Sequence, residues 1–160
     1  MNKKGDVIEV DITDFSTDGE GIGKTDAFTW FIKDSVIGDR VRAVVMKTKK
    51  SYGYARVVEI LKERKDRVEL RCQVARPCGG CALQSVSYRA QLAFKQNKVI
   101  NNLIRLGGFS REALEEVEIA PIIGMKEPWH YRNKAQYPIG TDREGNLIAG
   151  FYAGRTHSII

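Results

Sequence analysis

All 3 cysteines of this chain fall in one short window, Cys72-Gln-Val-Ala-Arg-Pro-Cys78-Gly-Gly-Cys81-Ala-Leu-Gln84. An odd count argues against a disulfide framework. The Gly79-Gly80 pair supplies unusual backbone dihedrals and removes obstructing side chains, as a loop wrapped closely around an inorganic centre requires. Three unrelated buried thiols would be the plainer reading, since free cysteine is commonly buried, but it does not account for their concentration around two glycines. Thiolates select zinc or iron-sulfur clusters over hard, oxygen-seeking cations. Zinc would take His130 or His157 as a fourth ligand, although neither stands at finger spacing. A four-iron cluster calls for four cysteines, and three are present. The spacing leaves both metals open.

Ahead of this window the chain alternates. Ile8, Val10 and Ile12 interleave with Val7, Glu9 and Asp11, the period of a half-buried strand. The glycine-rich segment Asp18–Gly23 lacks the Gly-Lys-Ser/Thr ending and following helix of a phosphate loop, so it reads as a turn. Phe28–Ile32, then Val41, Ala43 and Val45 on one face, then Gly53–Leu61 supply further strands. About five short strands in so short a stretch avoid exposed edges by curling into a small OB-like barrel. The mixed-charge run Leu61–Arg67 leads out of it.

A net charge of +6 favours a polyanionic partner, nucleic acid foremost. Lys47, Lys49, Lys50, Tyr52, Tyr54 and Arg56 mix cations with aromatics as an RNA-gripping surface would, the alternative being solvated loop lysines. Val86–Leu106 has helical spacing, with Tyr88, Leu92, Val99, Leu103 and Leu106 on one face and Gly107-Gly108 as its stop. Lys95, Lys98 and Arg105 form a basic ridge on its flank, with no acidic residue between Ala82 and Arg111 to balance them. Ser110 is the expected N-cap of a short second helix. Tyr131–Ile139 and Leu147–Tyr152 read as a strand pair, with Arg132, Lys134 and Gln136 on one face of its first strand. No long apolar run or signal-peptide core is evident, so a cytoplasmic protein without a membrane partner is expected.

Cys78-Gly-Gly-Cys81-Ala-Leu-Gln84, Tyr88-Arg-Ala-Gln-Leu92 with Lys95, and Tyr131-Arg-Asn-Lys-Ala-Gln136 together resemble the RNA uracil-C5 methyltransferases that carry a TRAM domain and a four-iron, four-sulfur cluster, 23S rRNA methyltransferases among them. The resemblance runs through the whole chain but covers only the front part of that family. It implies a fold of β plus α+β class: a TRAM barrel over residues 1–64, then an incomplete cysteine-loop, basic-helix and strand-pair domain over residues 65–160. It implies that Cys72, Cys78 and Cys81 ligate a 4Fe-4S cluster whose fourth cysteine follows downstream of Gly150-Phe151-Tyr152, with zinc as the alternative. The partner implied is RNA, ribosomal RNA in particular, met by a monomer, with Arg132 the foremost contact and Lys134 and Gln136 behind it. In the family a cysteine thiolate attacks C6 of uracil, C5 takes the methyl group from S-adenosylmethionine, and a glutamate removes the C5 proton. No residue here matches those roles, so S-adenosylmethionine belongs to the full-length family and this chain alone is expected to transfer no methyl group. A stand-alone RNA-binding protein with a zinc or cluster staple is the alternative, and an electron carrier a weaker third.

Overall fold

In the computed structural model, which describes residues 2–26, 28–154 and 156–160, the described residues form seven strands and two helices. Of the expected barrel span 1–64, Met1 and Ala27 lie outside the described residues. The chain divides into two compact units, Met1–Val86 with Asn133–Ile160, and Ser87–Arg132.

In the first unit, β1 (Val7–Phe15), β2 (Gly21–Thr25), β3 (Phe28–Lys33), β4 (Arg40–Thr48) and β5 (Tyr52–Lys62) close a barrel in the order β1-β2-β3-β5-β4. β4 pairs back onto β1, and every pairing is antiparallel except that of β3 with β5. The core follows the period-2 pattern: Ile8, Val10 and Ile12 from β1, Trp30 and Ile32 from β3, Val41, Ala43 and Val45 from β4, and Ala55 from β5. Closure gives each of these five strands two paired neighbours, so none of them is an edge strand.

The glycine-rich segment expected as a turn is only partly one. Gly19, at φ 82°, turns the chain, whereas Gly21 and Gly23 lie inside β2. A Cβ on Gly21 would fall 2.0 Å from Ser35 Oγ, and one on Gly23 would fall 2.2 Å from Val10 Cγ1 and 2.6 Å from the Asp11 carbonyl oxygen. These glycines permit close approach between neighbouring chains, which periodicity does not distinguish from turning.

The barrel carries the cysteine loop on a buried ionic knot. Asp39, fully buried, accepts hydrogen bonds from the Val36 N–H (2.9 Å) and the Arg64 N–H (3.0 Å), and pairs with Arg67 Nη2 at 2.5 Å. Arg67 Nη2 also donates to the Asp34 carbonyl at 3.0 Å. The chain leaving β5 is thereby tied to the turn that precedes β4. Arg67 bridges to Val86, and the Val68 N–H donates to the Ser85 carbonyl at 2.9 Å, so the two ends of the cysteine loop are stitched together beside the knot.

The second unit holds α1 (Tyr88–Arg105) and α2 (Arg111–Glu115). Ser110 caps α2, as expected, by accepting from the Ala113 N–H; Ser87 caps α1 in the same way from Ala90, so the first helix starts at Tyr88 and not at Val86. Residues 120–125 cover only the first part of the apolar stripe of α1, and partly: Gln96 donates to the Ala120 carbonyl and accepts from the Ile122 N–H, Tyr88 Oη accepts from the Met125 N–H, and Leu92 lies against Gly124. Val99, expected on the covered face, is 59% exposed. The sequence stripe is longer than the segment that covers it.

Back in the first unit, the expected long strand pair is short. β6 (Ile139–Thr141) pairs only with β7 (Leu147–Ala149), and Tyr131–Pro138 is not strand. A strand needs a partner, and Pro138 lacks the N–H that would extend the ladder. β7 ends at Ala149, and a Cβ on the next residue, Gly150, would meet the Ile160 carbonyl oxygen at 1.9 Å; Phe151 and Ile160 exchange backbone hydrogen bonds beside it. Arg132, Lys134 and Gln136 are all exposed, but they do not share a strand face.

Candidate nucleic-acid interface and cysteine loop

Strand alternation that buries Trp30 and Ile32 turns Phe31 outward, and that which buries Gly53 and Ala55 turns Tyr52 and Tyr54 outward. The parallel pairing sets Phe31 opposite Tyr54 and Thr29 opposite Tyr52. The three half-buried rings therefore form one patch, with centroid separations of 5.7 Å (Phe31–Tyr52), 5.6 Å (Phe31–Tyr54) and 5.7 Å (Tyr52–Tyr54). Gly53 makes the patch possible: a Cβ there would lie 2.3 Å from Trp30 Cζ3, so its absence lets the buried indole lie beneath β5.

Cations border the rings. Lys47 is the register partner of Tyr54, Arg56 that of Lys33, and Lys24 that of Thr29; Lys49 and Lys50 are exposed in the β4–β5 turn. Among the described residues, no ion pair involves Lys24, Lys47, Lys49, Lys50 or Arg56.

Elsewhere on the barrel the charges face one another. Glu9, Arg42 and Glu59 are in register across β1, β4 and β5. Arg42 binds Glu9 at 2.9 Å and also Glu59, while Arg40 lies 3.7 Å from both Glu9 and Asp11. Hydrogen bonding from Arg42 holds the Glu9 carboxyl below the ordinary carboxylate range, so Glu9 is ionised at neutral pH. One part of the barrel surface thus neutralises itself, and the part bearing the rings keeps its positive charge.

Of the residues expected to meet RNA, Lys47, Lys49, Lys50, Tyr52, Tyr54 and Arg56 are brought together on this surface. Lys95 and Arg105 are exposed and Lys98 is half-buried on α1 in the second unit, which also holds Arg132; Lys134 and Gln136 belong to the first. Phe31, Lys24 and Lys33 belong to no motif that marks them in the sequence. The alternation along Phe28–Lys33 is the signal that could have placed Phe31 outward.

The cysteine loop is built from turns. Ala75 donates to the Cys72 carbonyl, Cys78 to the Val74 carbonyl, and the Cys72 N–H to Gln84 Oε1. Lys33 Nζ donates to the Arg76 carbonyl at 2.8 Å, tying the loop to β3. The Gly79 N–H donates to the Tyr152 carbonyl at 2.9 Å and the Gly154 N–H to the Pro77 carbonyl at 3.0 Å. The Gly80 N–H donates to Cys78 Sγ at 3.3 Å. Cys78 is buried, whereas Cys72 and Cys81 are exposed. Among the described residues, no three His, Cys, Asp or Glu side chains are gathered as a ready metal site. The donor set, three thiols, fits a thiophilic metal in kind. Of the two histidines, His157 stacks edge-on against Tyr152, the residue that binds Gly79.

Comparison with known proteins follows the same lines. The TRAM domain family matches residues 2–58, which are the barrel up to the middle of β5. An uncharacterized RNA methyltransferase of Halalkalibacterium halodurans is 49% identical over 157 residues, covering 98% of this chain and 33% of that protein. Uncharacterized RNA methyltransferases of Clostridium acetobutylicum and of Listeria monocytogenes serotype 4b are each 44% identical over 158 residues, covering 99% of this chain and 34% and 33% of those proteins. The chain spans about a third of the length of the curated relatives it matches.

Proposed function

From the premise that residues 2–58 are a TRAM domain, we propose that this chain is the RNA-recognition part of an RNA uracil-C5 methyltransferase, with ribosomal RNA as its substrate. The observation that carries the proposal is the sorting of charge on the barrel: the Glu9–Arg42–Glu59 ladder neutralises one surface, while Lys47, Lys49, Lys50 and Arg56, near three aromatic rings, form no ion pair among the described residues. Cations without carboxylate partners attract phosphates, and aromatic rings add a contact to bases that phosphate binding alone lacks. The names of the relatives, each an RNA methyltransferase, support the same reading. Methyl transfer itself is assigned to no residue of this chain.

Binding of single-stranded RNA should weaken steeply with salt, and replacing Lys47, Lys49 and Lys50 by alanine should flatten the slope of log affinity against log salt by up to about 2, at about 0.7 for each phosphate no longer neutralised. Fluorescence anisotropy between low and moderate salt measures it. An unchanged slope would mean that these lysines are only solvated.

In the same reading Cys72, Cys78 and Cys81 hold a four-iron, four-sulfur cluster whose fourth ligand comes from further along the full-length protein. The soft donors and the Gly80 N–H on Cys78 Sγ support it. So does the pairing of residues 77–79 with residues 152–154, beyond which the family resemblance puts the fourth cysteine. A bound cluster would supply a thiolate-anchored centre that cross-links the loop. Anaerobic reconstitution should yield iron and sulfide near about four each per chain, lost when any one of the three cysteines becomes serine. Stoichiometric zinc instead, removed by His157→Ala, would replace the cluster with a zinc staple.

A further inference from the structure

The arrangement of the three outward rings says more than that RNA binds. Phe31 and Tyr54 are inclined by only 32°, whereas Tyr52 stands at 89° to Phe31 and 84° to Tyr54. Two rings thus make a tilted floor and the third a wall. A continuous base stack has no place in such a notch, and a duplex buries the base faces that a ring would need. An unpaired, splayed base offers a free π face to the floor and an edge to the wall. Around the notch, Lys24, Lys47 and Arg56 occupy the neighbouring register positions, where the phosphates on either side of a splayed base would pass. Ile22, the register partner of Phe31, closes the β2 side with an apolar side chain.

We propose that the Phe31–Tyr52–Tyr54 notch is a base-stacking subsite for about two unpaired nucleotides, and that it gives this surface a preference for single-stranded over double-stranded RNA. The proposal rests on the RNA-binding reading above and names the form of RNA that the surface takes.

The test compares three labelled RNAs with equal numbers of phosphates on the intact chain: an oligouridine, a blunt duplex, and an oligomer with abasic sites at its centre. The oligouridine should bind tightest, with the duplex and the abasic oligomer weaker by about 5- to 100-fold, the range that loss of one stacked base covers. Tyr54→Leu should weaken oligouridine binding by a similar factor while leaving the salt slope unchanged, because every phosphate keeps its cation; Tyr54→Phe should restore it. The abasic comparison needs no variant, so it stands even if Tyr54→Leu disturbs the barrel. Equal binding of all three RNAs to the wild-type chain would overturn the stacking subsite and leave electrostatic RNA binding intact. No measurable binding of any of them at low salt would overturn both. Self-association abolished by Tyr54→Leu, with RNA affinity unchanged, would make the notch a protein contact and overturn the subsite.

Discussion

Replacing Asp39 by alanine should lower the unfolding free energy by about 3–5 kcal/mol, as removal of one partner from a buried ion pair does. Asp39 is fully buried and Arg67 nearly so, with a side chain only 10% exposed, so the orphaned guanidinium has little access to water. Two backbone N–H groups, of Val36 and Arg64, lose their acceptor in the same change. The cost is compounded because, among the described residues, Arg67 Nε already has no hydrogen-bond partner. Urea unfolding followed by circular dichroism measures the loss. Asp39→Asn, which keeps a side-chain acceptor and removes the charge, should fall between alanine and wild type. Because the knot stitches the base of the cysteine loop to the barrel, the buried Cys78 should also alkylate faster in Asp39→Ala under native conditions. Wild-type stability and wild-type Cys78 reactivity together would mean that the knot holds nothing.

Trp30→Ala should cost about 3–5 kcal/mol, the range for removing a large buried aromatic from a packed core. Trp30 is 1% exposed, is tilted against Phe28 at 4.7 Å, and donates from Nε1 to Thr25 Oγ1 at 2.7 Å. The converse change has a distinct signature. Gly53→Ala puts a methyl group 2.3 Å from the indole, 2.8 Å from a second ring atom and 3.1 Å from the Lys47 carbonyl, so β5 must move away from β3. That overpacking should cost about 1–3 kcal/mol. It should also reduce RNA affinity, since Tyr52 and Tyr54 flank Gly53 and move with it. Denaturant titration and RNA anisotropy on the same samples separate the two losses. If Gly53→Ala were as stable as wild type, the indole would not lie against β5.

Much of the barrel was legible because its signal is local. Ile8, Val10 and Ile12 on one face, and Val41, Ala43 and Val45 on another, are a period-2 pattern that any half-buried strand must show, and the strands form where that pattern stands. The cap Ser110 was equally legible, since a cap is decided by residue type and by three residues of chain. Gly21 and Gly23 misled for a physical reason: glycine serves both turning and close approach, and which one applies depends on whether Ser35 or Val10 lies alongside. The overlong strand Tyr131–Ile139 misled similarly, since alternation states that a segment could pair and not that a partner exists.

By itself, then, the sequence determined four of the five barrel strands, the span of the first helix to within two residues, the gathering of three thiols on one glycine-bearing loop, and an excess of positive charge; the second helix, expected to run to Pro121, ends at Glu115. Only the tertiary structure decided which cations remain without acidic partners. Arg40 and Arg42 look no different in sequence from Arg56, and they differ because β1 brings Glu9 and Asp11 into register beside them. It also decided that Phe31 joins Tyr52 and Tyr54, through a parallel pairing between strands far apart in the chain, and that Asp39 meets Arg67 across 28 residues. Register and burial are properties of pairs of segments, and no single segment carries them.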